Sequence, residues 1–485
     1  MSPCAGPNAG HGDINPDSSN EDAVKPHRFL CALALAGALL AASAALAGPP
    51  LADRLLVGYW HNWMSSPVTL RLADVPADYD VVNVSFAVPS APGSGVMVFN
   101  PEPGIYASPA AFTADVQALR QRGQAVLISI GGATMPVQID TPEKAHDFAQ
   151  SMHAIITAYG FDGLDIDVEG HSLLLVGGDN DYRNPTSPLV VHFIDAMQQL
   201  LAMLPADFIV TAAPETIYVQ GGYAGYANAY GAYLPVLHAL RDRLAYVHVQ
   251  HYNTGTMYGR DGAIYEPATA DFHVAMADML LSGFPVYGGP VFEPLRPDQV
   301  MLGLPATEGA AGSGYTEPAA VRQALDYLIK GEPFGGQYQL GSPDGFFGFR
   351  GVMTWSINWD VSGGGAFADT FGAYLDDLSQ LIAVPDDLPD ATGPSGLLPP
   401  APNPFNPATT INWFLADAGG LARLDIHDTA GRRVRTLVDG WRESGAHRTA
   451  WDGRDDAGRA LPSGVYLCRL AAAGRVSSQR LVLAK

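Results

Sequence analysis

Short apolar runs rich in Val, Ile and Leu alternate with longer amphipathic stretches from residue 55 to about residue 382. Eight of these runs have the length and the β-branched composition of strands. They lie at 55–60, 81–88, 125–132, 161–170, 208–215, 246–253, 300–306 and 351–359. The pattern therefore predicts eight strands.

The stretches between the runs carry helix start and stop signals. Ser108, Thr141 and Ser187 each precede a proline, as at a helix N-terminus, and Gly123 and Gly160 close the first two stretches. The link at 64–80 has the weakest helical pattern. Eight strands that alternate with helices predict an α/β fold, a (β/α)8 TIM barrel with its active site at the carboxyl ends of the strands.

A second, smaller domain follows. Residues 383–402 are rich in Pro, Asp and Gly without an apolar period, which indicates a linker. Six short alternating runs with Gly and Asp turns come after it and predict a small all-β sandwich. The expected domains are an N-terminal extension and signal peptide at 1–47, the barrel at 50–384, the linker at 385–402 and the sandwich at 403–485.

Charge and composition narrow the class of partner. The chain has 485 residues, 47% of them hydrophobic, and a net charge of −22. Residues 403–485 carry twelve Arg or Lys and eight Asp or Glu, so the negative charge belongs to the larger domain. Such a domain is a poor partner for nucleic acid or an anionic membrane, whereas a neutral polymer meets no repulsion.

The N-terminus resembles a secretory signal. Lys25, His27 and Arg28 precede an Ala/Leu run at 29–45, and small residues favour cleavage after Ala47. A membrane anchor is the alternative, but the run is at the short end of the spanning range and ends in Gly-Pro-Pro. The expected location is secreted or on the cell surface.

The cysteines are too few for a disulfide framework. Of Cys4, Cys31 and Cys468, cleavage would leave only Cys468. Stability must then come from the size of the core.

The richest chemistry lies in FDGLDIDVEG at 161–170. With the period of a strand, Asp165, Asp167 and Glu169 share one face, and Leu164, Ile166 and Val168 share the other. Repulsion between neighbouring carboxylates raises a pKa, so one proton is expected to be retained near neutral pH for general acid catalysis. A solvated acidic edge strand and a calcium loop are the alternatives; the apolar face disfavours the first, and the missing loop signature disfavours the second.

DGLDIDVE resembles the DGxDxDxE signature of glycoside hydrolase family 18, the chitinases and related endo-N-acetylglucosaminidases. The resemblance implies that Glu169 protonates the glycosidic oxygen and that Asp167 orients the N-acetyl group of the substrate. That group attacks the anomeric carbon, an established exception to the usual scheme of two carboxylates. Asp165 is then the carboxyl partner of Asp167.

Two more strand ends resemble the family pattern. SIGG at 129–132 matches its SxGG motif, where glycines let the backbone approach the acidic strand closely. VQHYN at 249–253 resembles its sixth-strand motif. The resemblance implies that Tyr252 hydrogen-bonds the acetamide carbonyl and that Ser129, Gln250 and Asn253 line the substrate pocket.

The remaining candidates for substrate contact follow strands five and eight. AAPETIYVQGG at 212–222 resembles bacterial members, which implies contacts from Glu215 and Tyr218; an ion pair is the alternative for Glu215. Trp355 matches the tryptophan under the sugar subsite, since an aromatic face suits the C–H face of a pyranose. Trp359 is assigned to the core. Weaker candidates for outer subsites are Trp60, Trp63, Tyr223, Tyr258 and Tyr315.

The C-terminal segment resembles a module of another kind. PNPFNPATTI, DTAGRRVRTL and the ending RLVLAK are similar to the immunoglobulin-like module of flagellar hook-capping proteins and secretion-sorting domains. This implies the secretion machinery or the cell surface as a partner, while an inert spacer is the alternative.

The expected function is therefore a secreted chitinase that acts on chitin or chitooligosaccharides. Residues 306–315 leave room for only a short loop after strand seven, so the family's α/β insertion is missing and an open groove and endo action are expected. The alternatives are an endo-β-N-acetylglucosaminidase on N-glycans and a glycan-binding lectin on the same barrel. No metal, nucleotide or other cofactor is expected, because the chain has no HExxH, Walker or CxxC motif.

Overall fold

The computed structural model describes residues 49–64, 67–343, 345–346, 348–380, 395–415, 420–472 and 475–484. The predicted signal peptide at 1–47, with Cys4 and Cys31, lies outside the described residues, as does the predicted linker from 385 to 394. Within these ranges, no helix combines the length and the apolar character needed to cross a membrane. Cys468 is a buried free thiol.

Eight parallel strands close into a barrel, as the sequence predicts. They are β1 (Leu55–His61), β2 (Val81–Pro89), β3 (Ala125–Gly131), β4 (Gly163–Asp167), β5 (Ile209–Ala212), β6 (Tyr246–Gln250), β7 (Val300–Pro305) and β8 (Gly351–Trp355). Neighbours in sequence pair in parallel, and β1 pairs with both β2 and β8, which closes the sheet. Helices cover the outside and side chains fill the inside, so these strands are buried on both faces.

The helices around the sheet follow the predicted punctuation. They are α1 (Pro109–Gln121), α2 (Pro142–Tyr159), α3 (Pro188–Ala202), α4 (Leu234–Ala239), α5 (Ala270–Ser282), α6 (Pro318–Lys330) and α7 (Ala366–Gln380). The side chains of Ser108 and Thr141 accept hydrogen bonds from backbone N–H groups in the first turns of α1 and α2. Gly160 ends α2 in the left-handed conformation, at φ 71°.

Shorter elements lie in the loops. The link at 64–80 holds a 3₁₀ turn at Leu72–Asp74, in keeping with its weak helical pattern. The other short strands and helices are Met97–Val98, Thr216–Val219, Gln220–Tyr223, Met257–Tyr258, Ile264–Tyr265, Phe284–Pro285, Val291–Phe292, Pro297–Gln299, Glu308–Ala310 and Ile357–Ser362.

Four predicted strands extend three or four residues too far at their carboxyl ends. The strands end at Asp167, Ala212, Gln250 and Trp355. Regular strand geometry ends at these points, and positive φ follows at Gly170 (59°) and Asn253 (50°). After β8 the chain forms the helix Ile357–Ser362, whose N-cap is Ser356. A side-chain pattern that continues into a loop cannot show where backbone pairing stops.

The C-terminal strands form two antiparallel sheets around a core of their own. The strands are β9 (Gly396–Leu397), β10 (Thr409–Leu415), β11 (Gly420–Asp428), β12 (Arg433–Arg442), β13 (Gly445–Trp451), β14 (Gly464–Ala472) and β15 (Arg475–Leu483). One sheet has the order β9-β10-β13 and the other β12-β11-β14-β15. Trp413, Leu424, Trp451 and Leu470 are buried together, which agrees with the predicted all-β domain.

The end of the predicted linker needs correction. Leu397 lies within the predicted range 385–402, yet it pairs with Trp413 and packs into the core of the sandwich. Its backbone N–H also donates to Ser477 Oγ over 3.1 Å. The sheet therefore begins by residue 396, because a short edge strand needs no long apolar period.

Candidate active site

Asp165 lies inside the barrel at the centre of a ring of four donors. One carboxylate oxygen accepts from Tyr59 Oη (2.6 Å) and Ser129 Oγ (2.8 Å), and the other from Thr211 Oγ1 (2.6 Å) and His248 Nε2 (3.0 Å). Burial by itself would raise the pKa of Asp165, but the imidazole and the hydroxyl donors outweigh it and hold that pKa below its ordinary value. Asp165 is therefore an anion near neutral pH.

Ser129 needs correction as a predicted substrate contact. It is completely buried and its hydroxyl is taken by Asp165. It therefore supports the acidic strand from β3 instead of lining the pocket. The SxGG pattern identified the residue, but which group its hydroxyl meets depends on the register of β3 with β4, which sets Ser129 beside Asp165.

Asp167 and Glu169 converge on the amide of Gln250. Gln250 Nε2 lies 2.9 Å from Asp167 Oδ1 and 3.0 Å from Glu169 Oε1, and it also meets the carbonyl of Ala213 at 2.9 Å. The two carboxyls thus stay together although β4 ends at Asp167. Burial, followed by the charges of Glu169 and Asp165, raises the pKa of Asp167 well above its ordinary value. Asp167 therefore favours its protonated form, next to Glu169.

The glycines at the carboxyl end of β3 allow this arrangement. Gly131 and Gly132 have φ of 100° and 72°, and the N–H of Gly132 donates to the carbonyl of Asp167 over 2.7 Å. A Cβ on Gly131 would lie 2.5 Å from that same carbonyl oxygen. The close approach expected from SIGG is therefore present.

Glu215 lies beside the acidic strand at the end of β5. Its side chain is half-buried, and burial together with the charge of Glu169 raises its pKa. The salt bridges of the described residues do not include Glu215, which removes the ion-pair alternative there.

Tyr218 is bonded to the loop that carries Glu169. It is buried, and its hydroxyl donates to the carbonyl of Gly170 just after Glu169. The predicted substrate contact is thus corrected to a support for the loop that carries Glu169. Its position on the short helix Thr216–Val219, which follows β5 directly, brings it under that loop.

Tyr252 faces the carboxyls from the end of β6. It is 5% exposed, and its hydroxyl forms no hydrogen bond within the described part of the chain. Burial, then the charges of Asp167 and Glu169, raises its pKa, so the hydroxyl keeps its proton. It is a free donor beside the acidic group.

Asn253 is tied to the loop after β7. Its side chain is exposed, and its Oδ1 accepts from the N–H of Gly312 over 2.8 Å. That Asn253 lines the substrate pocket stays a prediction.

Trp355 closes one side of the barrel mouth. Its half-buried ring lies 5.5 Å from Tyr59, 5.0 Å from His61 and 6.1 Å from Phe86, measured between ring centroids. Trp63 stacks on His61 at 4.3 Å and extends this aromatic wall. Across the mouth, Tyr223 and Tyr258 lie 5.8 Å apart, and Tyr258 is exposed.

Trp60 is wrong as a subsite candidate. It is completely buried, it packs in the core outside the sheet, and its Nε1 donates to the carbonyl of Leu70 over 3.0 Å. Tyr59 and His61, its neighbours in β1, point inward, so alternation turns Trp60 outward.

Trp359, assigned to the core, is only half-buried and lies against Gly309.

Several site residues have no motif in the sequence. Tyr59, Thr211 and His248 hold Asp165, and His61 and Phe86 pack against Trp355. For His248 the alternation of side chains was a signal, because His248 lies two residues before Gln250 and shares its inward face. Among the described residues, no group of three or more His, Cys, Asp or Glu side chains could hold a metal ion.

Both parts of the chain are similar to known protein families. Residues 55–364 match the sequence model of the glycosyl hydrolases family 18, and residues 405–475 match that of the FlgD Ig-like domain. Chitinase D of Niallia circulans is 50% identical over 68% of this chain and 63% of its own length. Exochitinase 1 of Streptomyces olivaceoviridis is 44% identical over 67% of this chain and 56% of its own length.

A solved structure shares the architecture as well. A family GH18 chitinase from Chromobacterium violaceum superposes with a TM-score of 0.62 at 36% identity, over 68% of this chain and 85% of that chain. The present chain spans less than two thirds of the length of the two curated relatives.

Proposed function

The chain belongs to glycoside hydrolase family 18, and we propose that it is a chitinase that hydrolyses β-1,4 bonds between N-acetylglucosamine units. One observation carries the proposal: Asp167 and Glu169 meet at one amide beside an unbonded Tyr252 hydroxyl. The named relatives in the family, a chitinase D and an exochitinase, support the choice of substrate.

Glu169 is the general acid and base of this proposal. It is half-buried at the mouth of the barrel, where it can reach the glycosidic oxygen. Glu169 gives the proton that it shares with Asp167 to that oxygen while the acetamide oxygen of the substrate attacks the anomeric carbon, so that one bond breaks as the other forms. Water then opens the cyclic intermediate with Glu169 as base, and the β-configuration is retained.

Asp167 and Tyr252 serve the acetamide group. The pKa of Asp167 is raised by burial and by the neighbouring carboxylates, so Asp167 carries a proton that it can share with Glu169. The Tyr252 hydroxyl can donate to the acetamide oxygen once that oxygen has turned toward the anomeric carbon. Its bond would strengthen in the transition state, which is what lowers a barrier.

Trp355, Glu215 and Asn253 are the proposed contacts to the sugars. The half-buried ring of Trp355 suits the C–H face of a pyranose, and Glu215 is close enough to Glu169 for their charges to interact. Gln250 acts by holding the two carboxyls in place.

Attack within chains is the proposed mode of action. The segment between β7 and α6 consists of residues 306–317, with only a 3₁₀ turn at Glu308–Ala310, so no domain walls the groove on that side. An open groove admits a long polymer anywhere along its length. A rapid fall in the viscosity of soluble chitin with little reducing sugar would support this mode, and small products from the first minutes would overturn it.

Export to the cell surface or the medium is also proposed. The support is the FlgD-like module at 405–475, together with the signal-like segment before residue 48. Cell fractionation with an antibody against the barrel tests it; enzyme held in the cytoplasm would refute it.

Proton NMR of fresh digests of N-acetylglucosamine oligomers tests the reaction. We expect the β-anomer first, no cleavage after a deacetylated unit, and no turnover by Glu169→Gln, since glutamine has no proton to donate. General acid catalysis contributes about 100- to 10,000-fold. Glu143→Gln, at an exposed position on α2, is the control and should be fully active.

Other results would point elsewhere. An α-anomer formed first, or equal cleavage after glucosamine, would mean that water or a protein carboxylate attacks. Release of N-glycans from a glycoprotein without cleavage of chitin would favour the endo-N-acetylglucosaminidase. Tight binding of oligomers with no turnover by the wild type would favour a lectin.

A further inference from the structure

Four carboxyls crowd the mouth of the barrel with little positive charge to balance them. Asp167 interacts electrostatically with Asp165, Glu169 and Glu215, and Glu215 also interacts with Glu169. Of the acid–base side-chain contacts among the described residues, the one that reaches this group joins His248 Nε2 to Asp165 Oδ1 over 3.0 Å, and it becomes an ion pair when the imidazole is protonated. The imidazole of His248 is therefore the group that can offset part of the negative charge of these carboxyls.

His248 is held in one orientation. It is completely buried in β6, and its ring lies 6.0 Å from Tyr59 and 5.5 Å from Tyr246 between centroids. Nε2 lies 3.0 Å from Asp165 Oδ1, and a carboxylate only accepts, so Nε2 must carry the hydrogen. Nδ1 is buried and has no partner in the described part of the chain.

Strand β6 thus supplies hydrogen-bond donors to all three carboxyls of the acidic strand. His248 donates to Asp165, and Gln250, two residues later, donates to Asp167 and Glu169. The two donors differ in kind, because an imidazole can take up a positive charge and an amide cannot.

We propose that His248 is a positioning residue that decides which carboxyl of the acidic strand holds the proton. By keeping Asp165 ionised, it leaves the proton on Asp167, next to Glu169. The inference rests on the proposed function and adds a control of the protonation state that the family signature does not contain.

The direction of the shift in the pKa of Asp165 agrees with this role of His248. Burial raises the pKa of Asp165, and His248 is the largest of the contributions that lower it. Without His248 the pKa of Asp165 would rise, and at mildly acidic pH the proton would move from Asp167 to Asp165. The other titratable groups that face Asp165 are Asp167, Tyr59, Tyr233, Tyr246 and Tyr252.

Variants of His248 give a test with a readout beyond loss of activity. His248→Phe removes the donor, and His248→Gln keeps a neutral N–H. Thr211→Val is the matched control, since it removes an uncharged donor from the same carboxylate oxygen. The measurement is the pH dependence of kcat and KM on a soluble N-acetylglucosamine oligomer, with the melting temperature of each variant.

In His248→Phe we expect the acid limb of the kcat profile to move toward neutral pH by about one unit, because a nearby charge-assisted donor shifts a carboxyl pKa by one to three units. Below that limb kcat then falls about tenfold against the wild type. KM should change little, and His248→Gln should restore part of the profile. An acid limb at the wild-type pH in both His248 variants overturns the proposal, as does an equal shift in Thr211→Val.

Carbon-13 NMR of the Asp carboxyls, titrated without substrate, separates this inference from the proposed function. A higher pKa for Asp165 in His248→Phe or His248→Gln supports the role of His248 even if the wild type fails to cleave chitin. An unchanged Asp165 titration refutes it even if the chitinase activity is established.

Discussion

A methyl group added at Gly131 should disable the site while leaving the fold in place. The backbone there has φ of 100°, and the added Cβ would lie 2.5 Å from the carbonyl oxygen of Asp167 and 3.1 Å from the Cα of Val168. Both contacts are backbone atoms, which cannot swing aside as a flexible side chain can. The acidic strand must therefore move.

The size of the displacement follows from the contact distance. Ordinary van der Waals contact begins near 3.4 Å, so Asp167 must retreat by about 0.9 Å. A misplacement of about 1 Å at a reacting group can lower kcat about 100-fold. The positive φ adds about 1–3 kcal/mol of backbone strain to the free energy of folding.

Gly123→Ala is the matched control for Gly131→Ala. Gly123 has a similar φ of 85°, but nothing lies within 4 Å of its added Cβ. Both variants should melt a few degrees below the wild type, and only Gly131→Ala should lose kcat on soluble N-acetylglucosamine oligomers. A folded Gly131→Ala protein with kcat within threefold of Gly123→Ala would refute the idea that this contact positions Asp167.

Three further predictions concern packing, charge and the domain boundary. Trp60→Ala should cost about 3–5 kcal/mol of unfolding free energy with little change in KM, whereas Trp355→Ala should lower kcat/KM with little change in stability; denaturant titration and kinetics check both. The Asp167→Asn variant should have a higher melting temperature than the wild type at pH 8, and the difference between the two melting temperatures should shrink toward pH 4. In the wild type the raised pKa of Asp167 means that ionisation of this carboxyl above the unfolded pKa of about 3.9 destabilises the folded state. Asparagine cannot ionise, so the variant does not lose this stability. A chain that ends at Pro389 should keep its kcat on soluble oligomers, because the barrel and the sandwich have separate cores; failure of that barrel to fold or cleave would contradict this.

The carboxyl ends of the strands show where prediction from sequence stopped. The runs around 161–170 and 351–359 were identified as strands, but backbone pairing ends at Asp167 and at Trp355. Glu169 still reaches the amide of Gln250 because the loop after β4 is held from below by Tyr218. Loop geometry of this kind depends on contacts with distant segments, which no local pattern contains.

The sequence by itself determined the elements and the acidic group. The period of two residues in the strands is a local property, and so are the capping residues before the helices. Eight repeats of this strand and helix pattern predict the barrel. The spacing of Asp165, Asp167 and Glu169 is local in the same sense.

The tertiary structure alone decided the partners of these carboxyls. Asp165 is bonded by Tyr59, which is 106 residues away, and by His248, which is 83 residues away. Closure of the sheet brings those side chains to one point. A hydrogen bond forms between groups that are near in space, and nearness between β1, β4 and β6 is set by the closed barrel and not by the order of residues along the chain.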